Sequence, residues 1–239
     1  VIASNFSIVS VAFCLLIAKV CGVDHIFPQY YLTVIVAGFI TAMITSRIPP
    51  LSSKKDTYYA PVGRQISEKA PRGKTLFHWG FHQAVARAMN APGPWGVLKK
   101  GIFNVFDIWF GLLPSVMAIG TVSLILAIHT PVFEHISSIF IPLLKLFQLP
   151  EAAKAAPAFI LGFPDQFLPA IWSKGIESEL TRFVIAVMSV IQLIYMSEIG
   201  VLILKSEIDL NLFELFIIFL QRTLICLPII ALIAHLFFF

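Results

Sequence analysis

The sequence predicts an all-α integral membrane protein, with about five transmembrane helices plus broken or re-entrant ones. Three observations carry this reading. Of 239 residues, 58% are hydrophobic and 13% charged, against about 25% charged in an ordinary soluble domain, and a soluble chain of this length could not cover so much apolar surface. The apolar residues fall in runs near the ~20 that a helix needs to cross a bilayer. No ten-residue alternating pattern of the outer-membrane barrel kind recurs, and lipid offers no partners to bare peptide groups, so helices are left as the spanning element.

The first span is expected over Ile2–Val20, with Lys19 near an end where its stem can reach the headgroups. The polar turn CGVDHIFPQ leads to a second, Tyr30–Ile48, opened by two tyrosines suited to the interface. Residues 1–48 read as the end of an N-terminal membrane portion. The chain opens at Val1 on an apolar run with no signal-peptide pattern, so further protein is expected ahead of it.

Between Arg47 and Asn104 lie ten of the seventeen Lys and Arg, with Asp56 and Glu68 as the acids. That stretch is +8 and the remainder −4. A short basic loop between spans faces the cytoplasm, so 49–104 is expected to be a cytoplasmic loop. Topology accounts for its charge, and no nucleic-acid partner is expected. Within it, Thr75–Ala91 reads as an amphipathic helix on the lipid surface, and its Lys and Arg should bind anionic lipid. His78 and His82, at i and i+4, share a helix face without a third ligand, which suits a surface pair better than a metal site.

Residues 105–239 form the third region. A span over Val105–Ile128 contains Pro114, which should kink it by removing a backbone bond. Val132–Ile171 is apolar yet carries Pro142, Pro150, Pro157, Pro164 and Pro169, so short broken helices are expected there. A fourth span, Phe183–Leu204, is interrupted by SEIG at Ser197–Gly200. The tail is read as an interfacial helix up to Arg222 and then a last span to Phe239. Glu214 and Arg222 share a helix face and are expected to pair with other segments. Cys14, Cys21 and Cys226 lie in or beside apolar runs with no metal spacing, as packing residues do.

Ionisable groups at bilayer depth cost at least ~2.5 kcal/mol each on insertion scales, so they face cavities or partners. LGFPDQFLPAI, Leu161–Ile171, places Asp165 and Gln166 at a break signalled by Gly162 and Pro164. Peptide groups freed at such a break, around Phe163 and Pro164, point at whatever fills the gap. Asp165 could equally be a helix N-cap at the membrane edge. Ser197 and Glu198, fourteen residues into the fourth span, are candidates to face that break; the alternative puts Glu198 near the far interface. No phosphate loop, nucleophile elbow or metal-spaced cysteine pair is present, so no enzyme and no cofactor are expected beyond a possible coupling H⁺ or Na⁺.

On NFSIVSVAFCLLIAKVCGV, SRIPPLSSKKDTYY, FGLLPSVMAIG, TPVFEHISSIFIPLLKLFQLPEA, FPDQFLPAI, TRFVIAVMSV and FLQRTLICLPIIAL, the chain resembles the YjiH-type bacterial membrane proteins with a nucleoside-recognition Gate domain. The stretches run in family order from one end to the other, and RIPPLSSKKDTYY is the most specific. The resemblance implies a multi-pass protein of the bacterial inner membrane, a Gate-like domain of paired short helices over 105–239, and a missing N-terminal portion. It also implies a homo-oligomer or a companion Gate-type subunit. The function expected is a permease component moving a small polar solute, nucleoside-like or a peptide-derived metabolite, by alternating access. Its site would be Phe163, Pro164, Asp165, Gln166, Ser197 and Glu198. The alternative is a membrane scaffold that binds another subunit and moves nothing.

Overall fold

Every regular element among the described residues is helical. The computed structural model describes residues 11–54, 75–205 and 208–238. In chain order the helices are α1 (Val11–Cys21), α2 (Phe27–Thr45), α3 (Leu76–Met89), α4 (Pro94–Asp107), α5 (Leu113–His129) and α6 (Val132–Ser137). They continue as α7 (Ile141–Leu146), α8 (Ala152–Leu161), α9 (Leu168–Trp172), α10 (Glu179–Ile191), α11 (Val201–Lys205) and α12 (Leu212–Phe238). The described parts of Val1–Lys54 and Ser115–Phe239 form one compact unit, and those of Lys55–Pro114 a second.

In the larger unit, α10 is the centre. All its residues except Glu179 and Arg182 are buried, and it packs against α1, α2, α8, α9 and α12. A helix apolar around its whole circumference is stable only when other helices surround it. Tyr30 of α2 sets its ring edge-on to Phe183, with centroids 6.3 Å apart, and its hydroxyl donates to the Ala186 carbonyl at 3.4 Å. Further along, Gly38 of α2 lies beside Ile191, so α2 and α10 run parallel. In α12, Arg222 meets Ile191 and Cys226 meets Met188, so α12 runs the opposite way. The three cysteines are free and buried.

Polar side chains tie both ends of this bundle. At one end Glu151, in the left-handed region at φ 53°, accepts the Glu177 and Ser178 N–H groups at 2.9 and 2.8 Å. These hold the entry to α10, where the Ser178 side chain caps the Thr181 N–H. His235, near the end of α12, bonds the Phe147 carbonyl at 2.8 Å. At the other end Asn211 and Glu214 form a reciprocal capping box. Glu214 also pairs with Lys54 at 2.9 Å, so it bonds a distant segment, as its helix face suggested.

Among the described residues two helical stretches, Asp24–Thr45 and Leu212–Phe237, are long and apolar enough to cross a membrane. The sequence reading has five, and two differences are physical. The fourth expected span is not one helix, because α10 stops at Ile191 and the chain resumes as α11 after a break. The expected split of the tail at Arg222 does not occur. There α12 runs unbroken through Arg222 and Pro228, since Arg222 finds acceptors inside the bundle and has no need to reach the headgroups. Pro114 stands just past a π-helical turn, Ile108–Leu112, in a helical run that continues from α4 into α5; π-turns and prolines are both places where helices bend. The start of the first expected span lies outside the described residues.

In the smaller unit, α3 falls inside the predicted Thr75–Ala91 helix. The Thr75 hydroxyl caps it by accepting the His78 N–H at 3.4 Å. Phe77, Phe81, Val85 and Met89, four residues apart, make one exposed apolar stripe, and His78 and His82 are exposed. The rest of the basic loop's first half lies outside the described residues.

Candidate functional site: two joined helix breaks

Two interruptions of helix meet inside the larger unit. The first is Gly162–Phe167, between α8 and α9. The second is Gln192–Tyr195, between α10 and a π-helical turn at Met196–Gly200 that leads into α11. They are bonded directly through backbone. The Met196 N–H donates to the Phe163 carbonyl at 2.8 Å, and the Ser197 N–H to the Pro164 carbonyl at 2.9 Å. The Phe163 ring packs on Phe216 and Phe219 of α12, with centroids 5.0 and 5.2 Å away.

The causes of the two breaks differ. Pro164 supplies no N–H and Gly162 no side chain, so the first is local in origin. A Cβ on Gly162 would collide with Gln192 Oε1, so glycine is what lets the two breaks touch. The second contains neither residue type. Leu193 adopts φ 64°, a conformation costing an L side chain about 1–2 kcal/mol, which only strong surroundings sustain.

Those surroundings are polar and almost wholly buried. The Tyr195 hydroxyl lies 2.8 and 2.7 Å from the Ser189 and Val190 carbonyls. The next carbonyl, of Ile191, accepts from Arg222 Nε at 3.0 Å and Nη2 at 2.7 Å. Gln192 Nε2 reaches the Phe159 carbonyl and Thr223 Oγ1, both at 2.9 Å. Phe159 near the end of α8, and Ser189, Val190 and Ile191 at the end of α10, thus give their carbonyls to side chains of the second break and of α12, as buried acceptors require. Around the two breaks, three buried polar atoms have no partner among the described residues: Gln166 Nε2, Gln192 Oε1 and Ser197 Oγ.

Asp165 is 6% exposed. Its Oδ1 accepts the Phe167 N–H at 2.8 Å, an Asx-type turn that starts α9. Its Oδ2 lies 3.3 Å from where a Cβ on Gly120 would stand, so α5 approaches the carboxylate at a residue with no side chain. The N-cap position of α9 is Phe167, which has no side-chain cap bond, so Asp165 shapes the turn ahead of the helix with one oxygen and faces α5 with the other.

Along α12, Arg222 is ten residues past Leu212, about 15 Å at 1.5 Å per residue.

Of the residues singled out from the sequence, Phe163, Pro164 and Ser197 come into direct backbone contact, and Asp165 and Gln166 are buried in the same break. The Glu198 backbone is in the π-helical turn, and its side chain lies outside the described residues. The reading missed Gln192, Tyr195 and Thr223 and gave Arg222 only a pairing role. A single amide in the run VIAVMSVIQLIY was the available signal for Gln192. No group of three or more His, Cys, Asp or Glu able to hold a metal occurs among the described residues.

No protein-family model and no solved structure matches the chain. A protein of Alkalihalophilus pseudofirmus, itself described as uncharacterized, is 56% identical over all 239 residues. The chain spans 52% of that relative's length.

Proposed function

We propose that the chain is part of a multi-pass inner-membrane permease of Gate type, which binds a small polar solute at the joined breaks. The membrane placement is supported by the two long apolar helices. Their outward faces leave Leu32, Phe39 and Met43 on α2, and Leu224, Leu232 and Leu236 on α12, exposed. The observation that supports the rest is the pairing of Phe163 with Met196 and of Pro164 with Ser197, with buried polar atoms on both sides of the joint that have no partner among the described residues. With the start of α12 at one edge of the bilayer, the joint would lie about 15 Å in, half of a ~30 Å core; polar atoms there cost free energy unless something occupies them, and discontinuous helices meeting at a midplane are how transporters build such a place.

In this reading Asp165, Gln166, Gln192 and Ser197 bind the solute. Glu198 is the candidate for a coupling proton or Na⁺. Because the paired breaks are held by two backbone bonds and not by continuous helix, they are the joint at which alternating access would occur. The test is uptake by the full-length protein in proteoliposomes against a panel of nucleosides and small peptide metabolites. Asp165→Asn should lose uptake at least about tenfold while inserting normally. Uptake by the mutant at the wild-type rate removes Asp165 from the site, and no uptake of any solute by the wild type favours the scaffold.

A further inference from the structure

A cavity of about 640 Å³ lies on the larger unit behind the first break. Its floor is apolar: Pro157 and Leu161 of α8, and Leu168 of α9. Its mouth carries Lys154, Glu134 and Trp172. The Trp172 indole N–H donates to the Lys154 carbonyl at 2.8 Å, which fixes the ring in the wall with its polar edge already satisfied. Lys154 Nζ is 3.0 Å from Glu151 Oε2, yet its side chain is 63% exposed, leaving further donor capacity outward.

The cavity's position gives its solvent. Lys154 is one turn from Glu151, at the bundle end where α10 begins and His235 closes α12. Lys154, Pro157 and Leu161 lie on one face of α8, so the floor is about 10 Å deeper than the mouth. Ile171, which also lines the cavity, is 42% exposed, and Ile136 and Ile139 on the neighbouring segments are 50% and 74% exposed. Ile171 thus carries the apolar lining out to the surface, where an acyl chain can enter beside it. Lys and Trp at such a mouth are the residue types that sit at headgroup level. An ammonium and a carboxylate together match a headgroup carrying both a phosphate and an ammonium.

We infer that this cavity binds one acyl chain of a zwitterionic phospholipid, with its phosphate at Lys154 and its headgroup ammonium at Glu134. The inference rests on the membrane placement proposed above and not on transport. Its consequence for the fold is direct: Leu161 and Leu168 bracket the Gly162–Phe167 break, so the bound chain packs against both flanks of the joint.

The test uses as reporter the fluorescence that Trp172→Phe abolishes, after Trp79→Phe, Trp95→Phe and Trp109→Phe remove the other three tryptophans of these 239 residues. The full-length protein is placed in vesicles containing phosphatidylethanolamine or phosphatidylglycerol with dibrominated acyl chains. Half-quenching should need roughly fivefold less brominated phosphatidylethanolamine, the effect of about one charge contact at the surface, and Lys154→Ala with Glu134→Gln should abolish the difference. Equal quenching by both lipids, a preference for phosphatidylglycerol, or no quenching overturns the site. If the triple variant does not reconstitute, the same two lipids, unbrominated, are added to delipidated wild type. A rise in Tm with phosphatidylethanolamine alone, lost in Ala153→Phe, supports the site, and any other pattern overturns it. Flotation of the protein with vesicles is scored separately: a protein that fails to float contradicts the membrane placement, whereas one that floats with headgroup-blind quenching contradicts only the lipid site.

Discussion

Arg222 of α12 caps the carbonyl of Ile191, the residue at which α10 stops, with Nε at 3.0 Å and Nη2 at 2.7 Å. The helix end and the cation are both fully buried. This one contact explains why α10 can end in the interior and why the cation can remain there. Arg222→Met should leave the Ile191 carbonyl bare and lower stability in detergent by about 1–3 kcal/mol. Arg222→Lys keeps the charge but not the planar fork, and should fall between the two. Equal unfolding midpoints for all three proteins would remove the cap from the account.

Gly162 separates packing from backbone freedom. A Cβ there overlaps Gln192 Oε1, whereas one on Gly175 meets nothing within 4 Å. Gly162→Ala should push the breaks apart and reduce stability by more than about 1 kcal/mol, the lower range for overpacking a tight core. Gly175→Ala should be neutral within about 0.5 kcal/mol, as surface changes usually are. Matched thermal unfolding of the pair checks this, and similar losses in both would contradict the close approach.

Gln192 donates across the break to the Phe159 carbonyl and to Thr223. Gln192→Leu removes the donor, at a cost of about 1–3 kcal/mol for the acceptor left unpaired. Gln192→Glu places an acceptor-only carboxylate against that carbonyl at neutral pH, and should be the less stable of the two. The reverse order in denaturant unfolding would show that the amide is not the bridge described.

At the bundle end, the Ser178 N–H, followed by the Lys154 ammonium, holds the Glu151 carboxyl below its usual value of 4.5. A depressed carboxylate contributes stability that is present above its ordinary pKa and lost as pH falls through the folded one. The Tm difference between wild type and Glu151→Gln should therefore be largest near neutral pH and shrink below pH 4.5. A pH-independent difference would mean that the charge is irrelevant there.

How far the sequence displays this site depends on how each break is made. Gly162 and Pro164 are local signals, and they located the first break together with Asp165 and Gln166. The second break was expected at Ser197–Gly200, where polarity is visible, but it begins at Gln192, because the turn is made by Leu193 in a left-handed conformation that nothing in its own chemistry favours. Tertiary contacts from Arg222, Thr223 and Tyr195 impose it, and contacts between segments far apart in sequence leave no periodic trace. The tail was misread for a related reason. Arg222 looks like an interfacial residue until the carbonyl it serves, thirty-one positions earlier, is brought beside it. The all-helical class and the helix at Leu76–Met89 were legible because composition and local periodicity decide them.

The proposed site needs the joined breaks to be wet and to lie half-way through the bilayer. A nitroxide on Phe163→Cys, a half-buried position in the first break, tests this most directly once Cys14, Cys21, Cys226 and any cysteine of the full-length protein outside these 239 residues have been replaced by alanine. With the full-length protein in vesicles, collision with oxygen and with a polar nickel chelate is measured at that label. The account predicts a depth within about 5 Å of the centre of the ~30 Å core, combined with ready access for the nickel chelate. A label that reads at headgroup level, or one at the centre reached by oxygen alone, would contradict it.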